Sequence, residues 1–136
     1  MKLFLKVLTL TILIAGCSHS VDSVKLTGTW KKDSVYRYYN GYGYTTSDFD
    51  EEPLHEYMPG QILKMKLKDE ERSFAYEISG DSLFHFNDKT KRTDRFYILK
   101  LNNEQLVLRK ELNPVFPGKN QEHFEVQYLS RIQPQK

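Results

Sequence analysis

The feature that most constrains the fold of this chain is an alternation of apolar and polar side chains with a period of two residues. Leu63, Met65 and Leu67 alternate with lysines, and similar runs occur at residues 74–78 and 124–128. This period is typical of half-buried β-strands, whereas an amphipathic helix repeats every 3.6 residues. No segment of sustained length has helical spacing. The sequence therefore predicts an all-β domain.

Short turns between the apolar runs predict how the strands connect. Residues 79–81 and 102–103 contain Gly or Asn, which tolerate the left-handed backbone of tight hairpins. Six strands are expected after residue 60, and one or two more between residues 28 and 44. Seven or eight antiparallel strands in sequence order suit an up-and-down β-barrel or a sandwich. The barrel is favoured because the last strand can pair with the first and leave no exposed edge.

The first residues have the charge pattern of an export signal. Lys2 and Lys6 precede a short apolar run that ends before Cys17. This run is about half of the roughly 20 apolar residues that cross a bilayer, so a cleaved signal peptide is expected. The predicted organisation is a signal peptide at residues 1–16, a tether at 17–24 and a single domain at 25–136.

Residues 13–17 resemble the lipobox of bacterial lipoproteins, in which the cysteine sulfur takes a diacylglycerol and the chain is cut just before it. Cys17 is the only cysteine of the chain and has no disulfide partner within it. The resemblance implies an acylated Cys17, with palmitate-type chains, that binds the membrane. Ser18 in place of Asp fits the outer membrane, with the domain facing the periplasm. The alternative is an unmodified cysteine after an ordinary signal.

The charge balance argues against a nucleic-acid partner. Removal of residues 1–16 takes away two lysines and no acid, which leaves 18 basic and 18 acidic side chains. A formally neutral domain lacks the basic surface that binds phosphate backbones. No nucleic-acid partner is expected.

Two segments at the ends of the domain resemble lipocalins and their bacterial lipocalin-like relatives. Residues 26–30 contain the Gly-x-Trp of that family in Gly28 and Trp30, and residues 128–132 resemble its last strand with Arg131. The resemblance implies that Trp30 lies across the closed end of a barrel, with the Arg131 guanidinium packed on the indole ring. These three residues are therefore expected to close the barrel and to play no part in catalysis.

Residues 40–60 lack clean periodicity, and long irregular connections in compact domains are either functional lids or elements that the pattern has missed. In the lipocalins that the chain resembles, a long connection here covers the open end. Aromatic side chains near a barrel mouth can bind an apolar or amphipathic ligand. The candidate ligand-binding residues are Tyr42, Tyr44, Phe49, Tyr57, Phe74 and Tyr76. The alternative is that these tyrosines fill the core and cover one strand face.

No pattern of catalytic or metal-binding residues is recognised, so neither an enzyme nor a cofactor is expected. The four histidines do not form an H-E-x-x-H motif. His55 and Glu56 are interpreted as a solvated pair in the long connection, and His85 as a packed or surface side chain. The acidic residues 48–52 lack the spacing of an EF-hand loop and are interpreted as a solvated surface.

The sequence therefore leaves two hypotheses for function. The first is a membrane-anchored lipocalin-like barrel in the bacterial envelope that binds a small apolar or amphipathic molecule without turnover. The second is a barrel with a filled core that binds an envelope protein through residues 40–60. An interior cavity above about 300 Å³ would favour the first.

Overall fold

The computed structural model describes residues 21–47, 49, 51–118 and 120–133. The predicted signal peptide and Cys17 lie outside these residues, as do Asp48 and Asp50. The described chain forms one short helix and nine strands: α1 (Ser23–Leu26), β1 (Gly28–Tyr39), β2 (Tyr42–Thr46), β3 (Leu54–Met58), β4 (Ile62–Leu67), β5 (Glu70–Ser79), β6 (Ser82–Asn87), β7 (Arg92–Leu101), β8 (Gln105–Glu111) and β9 (His123–Arg131).

Eight of these strands close into an antiparallel up-and-down barrel. Each strand from β3 to β8 pairs with the strand that follows it, and β1 pairs with both β3 and β9. The all-β barrel predicted from alternation is thus confirmed. The ninth strand, β2, pairs with β1 alone. The barrel itself has no open edge, and β2 adds a short hairpin to it.

The segment at residues 40–60 contains strands β2 and β3, so of its two interpretations, a lid or elements that the pattern missed, the second holds. The first part of β1 pairs with β3 at residues 28–30, and its last part pairs with β2 at residues 35–39. Both strands therefore lie along the same edge of β1, separated by residues 47–53. Alternation missed β3 because His55, a polar residue, occupies one of the two buried positions of that five-residue strand.

The core fills the end of the barrel where the chain enters and leaves. We call this the closed end, formed by α1, the last residues of β9 and the turns at residues 59–61, 80–81 and 102–104. The opposite end is the mouth. The buried cluster is formed by Leu26, Trp30, Tyr57, Leu63, Tyr76, Leu83, Phe96, Leu106, Leu108 and Leu129.

Trp30 and Arg131 are directly opposite each other in the β1–β9 register and complete the closed end. Trp30 is fully buried, and its indole N–H donates to the Leu26 carbonyl at 2.8 Å. The Arg131 guanidinium lies 4.2 Å from the centre of the indole ring and donates to the carbonyls of Lys25, Thr27 and Asn103. This single side chain thereby ties two backbone segments, α1 with its C-cap residue and the turn at residues 102–104, to the closed end.

Gly28 meets two structural demands beside that arginine. Its φ of +134° is a backbone conformation that residues with a Cβ rarely adopt. A Cβ at this position would also collide with the Arg131 guanidinium. The glycine of the Gly-x-Trp segment is therefore required by local backbone and by packing.

The register of β9 settles which of its faces points into the barrel, a choice that alternation left open. Leu129 belongs to the core and Gln127 lines the interior at the mouth. Phe124 and Tyr128 lie on the opposite, outer face, where the Arg109 guanidinium is 3.9 Å from the centre of the Phe124 ring. The aromatic side chains of this strand therefore cover the outside of the barrel.

Candidate functional site

A cavity of about 220 Å³ lies inside the barrel between the core and the mouth. Its walls are formed by inward-facing side chains on the mouth side of the core. His55 is two residues from Tyr57 on β3, and Gln127 is two residues from Leu129 on β9, so period two places both above buried residues. We call this space the mouth cavity, lined by Lys32, His55, Met65, Phe74, His85, Asn87, Asp94, Phe96 and Gln127.

The walls of the mouth cavity combine apolar and ionisable groups. Met65, Phe74 and Phe96 supply the apolar surface, from β4, β5 and β7. Three ionisable side chains come from other strands: Lys32 from β1, His55 from β3 and His85 from β6. Asp94 comes from β7, two residues from Phe96 and closer to the mouth. A site of this kind can bind a molecule with an apolar body and one polar group.

Most charged groups around the cavity are in ion pairs. Lys32 donates to Glu52 at 2.9 Å, and only 13% of the lysine side chain is exposed. On β7 and β8, Lys110 donates to Asp94 at 2.6 Å. Because each cation has an acidic partner, the formal charges of these two pairs cancel.

Next to Gln127, Glu125 of β9 is also satisfied. Gln127 donates its amide N–H to one carboxylate oxygen of Glu125 at 2.7 Å, and Arg37 donates to the other at 3.3 Å. The carboxylate is buried, so these donors offset the cost of removing it from water.

His55 is the exception among the polar groups of the cavity. Its side chain is 5% exposed, and neither ring nitrogen has a hydrogen-bond partner among the described residues. Burial, and to a lesser extent the nearby Lys32 charge, lowers the pKa of His55 to about 4. The imidazole is therefore neutral at pH 7 and presents one donor and one acceptor to the cavity.

His85 lies beside His55 and is held in place by a residue of the core, Tyr57. Its Nε2 and the Tyr57 hydroxyl share a hydrogen bond of 3.0 Å. Burial lowers the pKa of His85 to about 3, with His55 and Lys110 acting in the same direction and Asp94 opposing them. Burial likewise raises the pKa of the Tyr57 hydroxyl. Both groups are neutral across the physiological range.

The six aromatic residues expected to bind a ligand are not brought together. Tyr42 and Tyr44 lie on β2 beyond the barrel, 81% and 58% exposed. The Phe49 ring is 6.0 Å from the Lys32 ammonium nitrogen. Phe74 lines the mouth cavity, whereas the remaining two belong to the core beneath it: Tyr57 and Tyr76.

The interpretation of His55 and Glu56 as a solvated pair is wrong. The two residues point to opposite faces of β3, with His55 buried inside and Glu56 paired with Lys66 at 2.5 Å. The physical reason is the strand itself, which separates neighbouring side chains across the sheet. A usable signal was present, since His55 is in phase with Tyr57 and a polar residue in phase with a core position points inward.

A larger groove of about 680 Å³ lies outside the closed end, between α1 and the turns at residues 59–61 and 80–81. Its lining includes Val24, which is 78% exposed, and no Lys, Arg, His, Asp or Glu side chain. Its polar side chains, Ser23, Thr27, Gln61 and Tyr76, carry no charge, and among the described residues none of them is a buried group without a hydrogen-bond partner. The mouth cavity is therefore the better candidate site.

No protein-family model matches the chain, and no curated protein matches it. In the part of the chain that the structure describes, no three His, Cys, Asp or Glu side chains are grouped to hold a metal ion. No helix among the described residues has the length and hydropathy to cross a bilayer. The candidate site thus depends on the barrel and on the side chains at its mouth.

Proposed function

We propose that this chain is a lipid-anchored envelope protein whose barrel binds one small amphipathic molecule at its mouth and does not transform it. The observation that carries the proposal is the mouth cavity itself. It joins apolar walls at Met65, Phe74 and Phe96 to a buried imidazole, His55, that has no hydrogen-bond partner in the described part of the chain. Buried polar groups in native proteins are nearly always hydrogen-bonded, so an exception at a cavity indicates that its partner, water or a ligand, occupies that cavity.

The size of the cavity restricts the occupant. A volume of about 220 Å³ equals the share of about seven water molecules at roughly 30 Å³ each. This is below about 300 Å³, the volume above which the sequence hypotheses favoured ligand binding over a filled core, so the proposal depends on His55 and the apolar walls and not on the cavity volume. The barrel is therefore suited to a molecule of about ten non-hydrogen atoms, or to one end of a longer chain.

Binding without turnover is supported by the chemistry of the two histidines. Efficient general bases have a pKa near the working pH, whereas those of His55 and His85 are lowered to about 4 and 3. Two weakly basic imidazoles are suited to hydrogen bonding and poorly suited to proton abstraction at neutral pH.

The lipid anchor on Cys17 is supported by the sequence and would orient the barrel. The described chain begins at the closed end, where the Leu26 carbonyl accepts from Trp30 and the Thr27 carbonyl from Arg131. An acylated Cys17 would hold this end next to the membrane and leave the mouth facing the periplasm. We expect Cys17→Ser to release the protein into the soluble fraction; retention in the membrane fraction would contradict the anchor.

The binding proposal is tested by filling the cavity. Met65→Trp places a larger side chain in the mouth cavity, and Lys66→Trp puts the same ring on the outer face of β4 as a matched control. Thermal unfolding of each full chain is measured with a panel of small amphipathic compounds. We expect compounds that stabilise the wild type and the control but not Met65→Trp. Equal stabilisation of all three proteins, or of none, would contradict the proposal.

A second function is supported by the β1–β2 hairpin. β2 pairs only with β1, so its other edge is open, and the hairpin exposes Tyr42 and Tyr44. Exposed edges and tyrosines are common at protein contacts. Chemical crosslinking in cells tests whether the hairpin binds an envelope protein. The double variant Tyr42→Ser, Tyr44→Ser should lose the crosslinks between this chain and its partner. Tyr128→Ser, which alters the outer face of the barrel, should retain them.

A further inference from the structure

We infer that the molecule bound in the mouth cavity carries a carboxylate, held by His55 and Lys32, and that His55 takes up a proton when it binds. The inference rests on the proposed function and specifies the chemistry of the polar group. It follows from what His55 lacks, from the charges that face it and from the limited negative charge that the site can accept.

The missing partner of His55 must come from the cavity. The imidazole is 95% buried and lines the cavity, and both ring nitrogens are without a partner among the described residues. The group that completes it therefore has to reach the ring from inside the barrel. A carboxylate oxygen can accept from either nitrogen once that nitrogen carries a proton.

The charge nearest to His55 is positive. Lys32 lines the same cavity and disfavours the charged imidazole. Its ammonium group has three N–H donors and uses one on Glu52, so another can be donated to a ligand in the cavity. An anion placed between these two side chains is attracted by Lys32 and stabilises the imidazolium form of His55.

The remaining groups around the cavity limit the charge of the anion. The titratable groups at its wall and rim are Glu52 before β3, Arg72 and Glu70 on β5, His85 on β6, Asp94 on β7, Lys110 on β8, and Glu125 with its Arg37 partner on β9 and β1. Asp94 and Glu125 are already neutralised by Lys110 and Arg37. One lysine shared with Glu52 and one imidazolium match a single negative charge better than a phosphate dianion.

The proton balance of binding is simple. The carboxylate enters ionised, His55 enters neutral, and one proton from solvent is added to the ring, with no other bond formed or broken. Because the complex binds one more proton than its separate parts, affinity must rise as pH falls, by up to about tenfold per pH unit. This pH dependence of affinity holds while the free ligand is ionised, which means above about pH 6.

The test compares three probes of equal length on the full chain: hexanoate, hexanamide and 1-hexanol. Isothermal titration at about pH 6 and about pH 7, in two carboxylate-free buffers of different ionisation enthalpy, measures affinity and proton uptake. We expect hexanoate to bind at least about tenfold more tightly than either neutral probe, with close to one proton taken up at the lower pH. Imidazole nitrogen chemical shifts should identify His55 as the protonated ring.

Three histidine variants assign the effect. His55→Phe should lose both the preference for hexanoate and the proton uptake, while His123→Phe, altered where the ring bonds the Asn113 carbonyl outside the cavity, should keep both. His55→Gln, which retains a hydrogen-bonding group, should still bind hexanoate but without proton uptake.

The possible failures are distinguishable. If no probe binds the wild type, the proposed function and this inference both fall. If hexanamide or 1-hexanol binds as tightly as hexanoate, and Met65→Trp abolishes that binding, the proposed function stands and the carboxylate is wrong. If hexanoate is preferred but the preference survives in His55→Phe, the assignment to His55 is wrong.

Discussion

At the closed end of the barrel the indole of Trp30 and the guanidinium of Arg131 both donate to backbone carbonyls, whereas at the mouth His55 has no hydrogen-bond partner among the described residues. Both ends are built from the same strands, but most side chains that line the mouth cavity are half-buried, whereas the closed end is packed with buried side chains. Among the buried polar side chains of the described residues, His55 alone is left without a partner.

The difference indicates how the two ends divide their tasks. A satisfied polar group in a packed core contributes to stability, while an unsatisfied one costs about 1–3 kcal/mol. Native proteins retain such costs where function requires them, because selection acts on activity as well as on stability. We therefore expect changes at the closed end to lower stability and changes at the mouth to affect binding.

The largest expected effect is at the closed end. Trp30→Ala should lower the free energy of unfolding by about 3–5 kcal/mol, because the indole is fully buried and its loss leaves a cavity. Phe74→Ala, at the mouth, should cost less than half as much because this half-buried ring already borders a cavity. Urea denaturation of both variants measures the difference. A loss below about 1 kcal/mol for Trp30→Ala would show that the closed end is not the stable part of the barrel.

The next effect is a loss of stability in acid that originates at the mouth. An unfolded histidine titrates near pH 6.5, whereas folded His55 stays neutral down to about pH 4. Between these values the unfolded state binds more protons, so stability is full above about pH 6.5 and falls as pH decreases, by roughly 3 kcal/mol for His55 alone. His85 contributes in the same direction.

Urea midpoints measured from about pH 7.5 down to about pH 4.5 test this, since most carboxylates remain ionised over that interval. His55→Leu should reduce the slope of the curve and leave the part that comes from His85. A wild-type curve without a decrease below about pH 6.5 would mean that the imidazole of His55 can be charged in the folded protein.

A smaller effect at the closed end tests the contact between Gly28 and Arg131. Gly28→Ala should cost about 2 kcal/mol, because a Cβ at φ +134° is strained and meets the guanidinium. Gly41→Ala is the matched control, since Gly41 also has a positive φ, of 95°, but nothing lies within 4 Å of an added Cβ. Equal losses in the two variants would show that the close packing of Arg131 contributes nothing.

The fold was predictable because it depends on features that repeat along the chain. Alternation placed the six strands after residue 60, and Gly80 marks a turn between two of them. Closure of the barrel was predictable because an exposed strand edge can pair with another chain, and a closed barrel has no such edge. The one strand of the barrel that was missed, β3, is also the strand that carries His55. A polar residue at an inward position removes the signal on which strand prediction depends.

The candidate site was less predictable for the same reason. Lys32, His55, Asp94 and Gln127 are polar residues at inward positions, and the alternation rule assigns such residues to the surface. The sequence favoured exposed aromatics such as Tyr42 because aromatic side chains are common in binding sites. Only the register of paired strands brings the polar groups of five different strands to one cavity.

The smallest expected effect gives the most direct comparison of the closed end and the mouth. His55→Leu should raise the free energy of unfolding at about pH 7.5 by about 1 kcal/mol, because an apolar side chain of similar size removes an unsatisfied polar group and keeps the packing. The same variant should lose selective binding of hexanoate. Urea denaturation and titration of the same preparation measure both. A variant less stable than the wild type would mean that the imidazole contributes to the fold, and the contrast between a closed end for stability and a mouth for binding would no longer hold.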